Sequence, residues 1–204
     1  MAKSLGLAIT FPTLLSTLSS CQNSFNESVR TSQLPLSPFL KSQLFCVSGL
    51  VDVILPESDI IGAAQLNVAQ FIEQIVSATM YPSVRIHFDK GAALFVQQLK
   101  YHFQLKPQDA NFKHYQQLLS LLFPVSKQEQ QQIFDLQNTP FNQINKKEVD
   151  NYNLYKFLVT TRELTLLGYY TSEFVGENVF NYDPIPDIYQ PCINVDDVGN
   201  SWAS

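Results

Sequence analysis

Residues 148–170 read EVDNYNLYKFLVTTRELTLLGYY. Between Phe157 and Ser172 the only charges are Arg162 and Glu163. A helix drawn over this stretch carries apolar side chains nearly all round, so it must be covered on most sides, by its own chain or by a partner. The stretch predicts the longest helix of the protein, Glu148 to Tyr170, buried either in the core or against a partner.

The rest of the chain supplies those helices. Ser37-Pro38 predicts a helix start, because serine caps free N–H groups and proline suits the first helical position. Leu40, Leu44, Val47, Val51 and Ile54 then recur at four- and three-residue steps, and Pro56 ends the element. Cys46 lies beside this stripe and reads as a small buried hydrophobe. After a loop over Pro56–Ala63, a second helix is expected over Asn67–Met80, with Val68, Ile72 and Ile75 on one face. A third carries Ala92, Phe95, Val96, Leu99 and Phe103. A fourth covers about Gln108–Phe123, with Tyr115, Leu118, Leu119 and Leu122 inward. Ser126-Lys127-Gln128-Glu129 fits a capping box and opens a shorter fifth. Asn138–Lys147 reads as a connection. No repeat, low-complexity tract or strand-like alternation competes. The expected fold class is all-α, a single irregular helical bundle over 37–180, followed by an extended tail over 181–204. Pro184, Pro186 and Pro191 interrupt that tail and forbid a continuous helix.

The chain has 204 residues, 45% hydrophobic and 15% charged, with a net charge of -5. The low charge argues against a disordered chain, and no cationic cluster suits a phosphate backbone, so no nucleic-acid partner is expected. The low charge leaves a surface with apolar areas for a partner to cover.

The first residues have the order of a secretory signal: Lys3, an apolar run from Leu5 to Leu18, Ser19 and Ser20, then Cys21. Pro12 in mid-run argues against a buried helix instead. Leu18-Ser19-Ser20-Cys21 resembles the lipobox of bacterial lipoproteins, which implies that Cys21 is lipidated. Residues 22–36 are then a polar tether between anchor and domain. The expected location is the periplasmic side of a bacterial envelope.

Motifs for chemistry are missing. His87, His102 and His114 have no metal-binding spacing, and the last two flank expected helix ends, where surface or capping histidines are common. Cys21, Cys46 and Cys192 form no C-x-x-C pair. There is no G-x-G-x-x-G, P-loop or G-x-S-x-G. Glu57/Asp59 and Asp196/Asp197 read as solvated loop and tail carboxylates rather than an acid–base pair in a cleft. No catalytic residue, metal site or cofactor site is expected in this chain.

One segment carries a specific resemblance. Thr165-Leu166-Leu167-Gly168-Tyr169-Tyr170-Thr171-Ser172-Glu173 leads through Val175-Gly176-Glu177-Asn178 to Tyr182-Asp183-Pro184-Ile185-Pro186 and Tyr189-Gln190-Pro191-Cys192. This resembles the C-terminal signature of the gluconate 2-dehydrogenase subunit 3 family: a T-x-x-G-Y-Y-T-S helix end, a tyrosine and two prolines, and a tyrosine shortly before a cysteine. Val53-Ile54-Leu55-Pro56 to Gly62-Ala63-Ala64 is a weaker match, with Ile61 where the family has proline. The resemblance covers roughly residues 40–192. It implies a non-catalytic small subunit that supports export, stability and assembly of a large FAD-containing dehydrogenase of the glucose-methanol-choline type, often with a cytochrome c subunit. The family's twin-arginine export signal is not matched, since no Arg-Arg precedes the apolar run. Either the arginines lie upstream of Met1 or export takes another route.

The same residues have a physical reading. Gly168 permits close approach of a neighbouring helix. Tyr169 and Tyr170 join large apolar area to a hydroxyl, a mix common at interfaces. Thr171 or Ser172 can cap a short following helix. Two readings stand at this point: an internal corner, and a partner interface built from Gly168, Tyr169, Tyr170, Thr171, Ser172, Tyr182, Pro184, Pro186 and Tyr189. Cys192, left over in an oxidising compartment, suggests an inter-subunit disulfide. The competing function is a stand-alone envelope lipoprotein that binds a ligand or protein through the tyrosine-rich surface.

Overall fold

The structure, a computed structural model, describes residues 39–123 and 126–180, together with Cys192 and Asn194. The readings of signal, lipidation and tether lie outside the described residues, as does the tail apart from Cys192 and Asn194. Among the described residues there are seven α-helices and no strand. They are α1 (Lys41–Ile54), α2 (Val68–Thr79), α3 (Pro82–Phe103), α4 (Phe112–Leu122), α5 (Lys127–Asn138), α6 (Val149–Tyr170) and α7 (Glu173–Asn178). The fold is all-α, as the periodicity predicts.

The α3–α6 pair makes the most extensive helix contact, and a missing side chain explains it. A Cβ at Gly91 would lie 2.0 Å from the Asn153 carbonyl oxygen and 2.6 Å from Phe157 Cβ. The two helices therefore meet at backbone distance, which only glycine allows. Phe88 and Phe95, one turn to either side of Gly91, grip Phe157 at ring-centroid distances of 5.0 and 5.8 Å. Phe39 stacks on Phe88 at 5.7 Å, and Tyr115 of α4 stacks on Phe95 at 6.0 Å. This aromatic file is buried throughout. Each such pair contributes about 0.5–1.5 kcal/mol beyond its buried area.

Polar groups close the edge of this core. Arg85 is 6% exposed, and its Nε donates to Asp89 Oδ1 at 2.7 Å. Gln43 Nε2 donates to the same oxygen at 3.0 Å, while Gln43 Oε1 accepts the Leu40 N–H at 2.8 Å. The Arg85 guanidinium lies 5.1 Å from the Phe39 ring centre. These bonds explain a difference from the expected stripe of α1. Leu40 is 70% exposed, and Leu44 and Ile54 are only half-buried. The inward face is Gln43, Cys46, Val47, Leu50 and Val51. Step counting could not place a glutamine inside, but an amide hydrogen-bonded through both its nitrogen and its oxygen is tolerated there. Cys46 behaves as expected: it is fully buried, and burial pushes its thiol pKa up to about 12.

The remaining elements follow the sequence with small shifts. Ser126 caps α5 by accepting the Glu129 N–H. The fourth helix begins later than expected, at Phe112, because Pro107–Asp109 forms a separate 3-10 turn and Asn111 caps α4. A second such turn, Phe141–Gln143, lies within the expected connection. Helix α6 spans 22 residues and is equalled in length by α3. It touches α1, α2, α3, α5 and α7, yet Arg162, Glu163, Leu167 and Tyr170 stay exposed. No described helix is long and apolar enough to cross a membrane.

The glycine contact has a direct test. Replacement of Gly91 by alanine forces α3 and α6 apart and is expected to cost about 2–3 kcal/mol or more. At Gly176 nothing lies within 4 Å of a new Cβ, so Gly176→Ala is expected to be neutral or stabilising by about 0.5 kcal/mol. Urea unfolding of both variants measures the contrast.

Candidate functional site

The two segments that carry the family resemblance meet in space. The Tyr169 hydroxyl donates to the Ile61 carbonyl at 2.8 Å, across 108 residues of sequence. Tyr169 is 8% exposed. Burial, and then the neighbouring Tyr170, raise the pKa of its phenol, so it remains a donor at neutral pH.

Each side of the contact is built locally. On the loop side, Ala63 N donates back to the Leu55 carbonyl at 3.0 Å and Ser58 N to the Ile60 carbonyl at 3.0 Å. Gly62 lets the loop close: a Cβ there would sit 2.6 Å from the Glu57 backbone nitrogen. Ala63, fully buried, follows it into the core and accepts the Val68 N–H at the start of α2. On the helix side, a Cβ at Gly168 would meet the Phe71 ring at 2.6 Å and Val68 Cγ1 at 3.1 Å. Gly168 thus lets α6 settle on α2. Thr171 ends α6, its Oγ1 donating to the Leu167 carbonyl at 2.7 Å. Ser172 donates to the Tyr169 carbonyl at 2.7 Å and caps α7 by accepting the Val175 N–H.

The two readings of this segment divide residue by residue. Gly168, Tyr169 and Ser172 pack or bond within the chain, as an internal corner requires. Tyr170 faces outward and is 50% exposed. It stacks on Phe180 at 5.9 Å and meets Tyr169 edge-on at 5.4 Å. Around it the surface holds a recess of about 330 Å³ lined by Pro56, Ile60, Ile61, Tyr169, Tyr170 and Phe180, among others. Ile60, Leu167 and Phe174 are further large apolar residues left exposed in the same segments. Sequence reasoning singled out none of these last three, nor Phe180. Their only signal is a bulky apolar residue beside a turn, which is equally common in cores. Of the remaining predicted interface residues, Tyr182, Pro184, Pro186 and Tyr189 lie outside the described residues, as does Cys21. Cys192 is exposed and unbonded.

The histidines are dispersed in role. His87 Nδ1 is hydrogen-bonded to Asn153 Oδ1 at 2.8 Å, and its ring lies 4.1 Å from that of Phe141. His114 Nδ1 accepts the Asn111 N–H at 3.1 Å, a capping role. His102 is exposed in the last turn of α3. Glu57 accepts from Gln65 at 2.7 Å on an exposed loop. Among the described residues no group of three or more His, Cys, Asp or Glu side chains is placed to hold a metal ion.

Fold and site together define a helical domain whose distinguishing feature is a half-exposed aromatic corner closed by two distant segments. The model of the gluconate 2-dehydrogenase subunit 3 family matches residues 41–186, and the chain belongs to that family. No curated protein and no solved structure matches it.

The division of labour at the corner is measurable. Gly168→Ala drives a methyl group into the Phe71 ring and is expected to cost about 1–3 kcal/mol. Tyr170→Ser removes a half-exposed ring and is expected to cost less than about 1 kcal/mol. Equilibrium unfolding of both variants gives the comparison.

Proposed function

We propose that this chain is the non-catalytic small subunit of a flavin-dependent dehydrogenase complex on the periplasmic side of a bacterial envelope. Its task is to support export, stability and assembly of a large FAD-containing subunit of the glucose-methanol-choline type, which oxidises a sugar, alcohol or acid. The flavin belongs to that partner. A cytochrome c subunit accepts the electrons in complexes that contain one. Lipidation at Cys21 anchors the chain.

One observation carries this reading: both segments that resemble the family converge on a single corner, and that corner keeps Tyr170, Ile60 and Phe174 half exposed. An internal corner alone needs Gly168 and Tyr169, but not an outward aromatic rim. Half-exposed tyrosine and phenylalanine are the residue types that interface cores favour. Family membership supplies the kind of partner. Cys192, exposed and unbonded, is available for a disulfide with the large subunit.

Affinity purification of the full chain from native membranes tests the reading. The expected result is co-purification of a large subunit with flavin absorbance, linked to this chain on a non-reducing gel and released by thiol. Tyr170→Ser should lower the yield of that partner, while the folded chain persists. Recovery of the chain alone, without flavin, contradicts the reading and favours a stand-alone envelope lipoprotein. Co-purification as two separate bands removes the disulfide only.

A further inference from the structure

A second recess shares no lining residue with the one at the tyrosine corner. Helix α1 is charged against its own dipole. The N-terminal end of a helix favours anions and the C-terminal end favours cations. In α1 the cation Lys41 stands at the start and the carboxylate of Asp52 stands near the end, with no acidic residue in the first turn and no basic residue in the last. Among the described residues the Asp52 carboxylate has neither a hydrogen bond nor an ion pair. A half-buried carboxylate beside the negative end of a helix, without a partner, is a local conflict. Conflicts of this kind are expected where a site is built for a ligand.

The surroundings say which ligand. Asp52 opens into a recess of about 350 Å³ between α1 and the start of α4. Its floor is Gly49 and the ring of Tyr115: a Cβ at Gly49 would lie 2.4 Å from that ring. The Tyr115 hydroxyl is held by the carbonyls of Phe45 and Pro107, both at 3.2 Å. Burial raises its pKa, so it brings no charge. Phe45 and Phe112, 47% and 36% exposed, are the aromatic members of the lining that reach solvent. Asp52 is the one carboxylate of the lining, and no Lys, Arg or His joins it there. One carboxylate, a helix C-terminal end and two ring edges or faces make a site for a planar cation. A guanidinium can bond the carboxylate through its fork and stack on an aromatic ring, which a compact ammonium does less well.

We infer that the recess at Asp52 receives an arginine side chain presented by the partner subunit, as a second contact separate from the tyrosine corner. The recess chemistry stands on its own; the identity of the partner rests on the proposed function. The bound arginine supplies the cation that the last turn of α1 lacks.

Two measurements test this. First, N-acetyl-arginine-amide is titrated into the full chain and followed by amide NMR, with N-acetyl-norleucine-amide as control. Saturable shifts at Gly49, Asp52 and Phe112 are expected for the arginine probe alone, weakened about fivefold or more in Asp52→Asn. Asp52→Asn should also raise the midpoint of thermal unfolding, because it removes the unfavourable charge; a purely structural carboxylate would lower it. Absent or unsaturable shifts, or equal binding by Asp52→Asn, overturn the site. Second, Asp52→Lys is introduced into the full chain and the flavoprotein it retains is measured. Loss of most of the retained flavin supports the arginine contact. Unchanged retention, with the probe still bound by the wild type, overturns the partner assignment and leaves a site for a free guanidinium compound. If no flavoprotein is retained even by the wild type, the proposed function fails, while the probe titration still decides the recess.

Discussion

The contact between the Gly91 backbone and the Asn153 carbonyl sets the distance between α3 and α6, and the rest of the fold is arranged around that distance. With a 2.0 Å separation between a would-be Cβ and a carbonyl oxygen, no other residue fits at position 91. The close crossing brings Phe88, Phe95 and Phe157 into one cluster. That cluster in turn gives α1 and α4 a surface to pack on through Phe39 and Tyr115. Glycine in a helix interior costs about 1 kcal/mol relative to alanine. The aromatic contacts it permits return more than that, since loss of one buried phenylalanine side chain typically costs about 3–5 kcal/mol.

The crossing also positions the candidate site. From Asn153 to Tyr169 the helix runs about 24 Å at 1.5 Å per residue. Helix α6 is thus a rigid arm fixed at one end by Gly91 and at the other by Gly168 against Phe71. Its end delivers the Tyr169 hydroxyl to the Ile61 carbonyl and leaves Tyr170 facing outward. The loop over Pro56–Gly62 is a counterpart shaped by its own glycine. A surface held rigid in this way loses less conformational entropy on binding than a flexible one.

Much of this is legible in the residues, and the parts that are not have physical causes. The all-helical class, the long α6 and the Ser126 cap follow from periodicity and capping chemistry. Gly168 at the end of an apolar helix is readable as a close-approach position. Gly91 is not, because a single glycine in a helical pattern gives no clue to what it faces. The inward face of α1 is misread because Gln43 is buried by virtue of its bonds to Leu40 and Asp89, which no hydrophobicity count detects. The end of α3 carries no glycine signal, since Gln104 takes the left-handed conformation itself, with φ 55°. At the corner, Tyr169 and Tyr170 are adjacent and chemically alike. Only their positions on α6 make one a core residue and the other a surface one. The Asp52 recess joins α1 to residues more than fifty positions away, so its lining had no trace in local sequence.

Under the proposed function, the joined corner of the 55–63 loop and the 167–180 segment is the surface that meets the dehydrogenase subunit. Hydrogen–deuterium exchange of the full chain, alone and in the purified complex, tests it most directly. Slowed exchange of backbone amides in both segments is expected on complex formation, with α5 unchanged on its outer face. Protection confined to α4 and α5, with both corner segments exchanging as in the free chain, would contradict it.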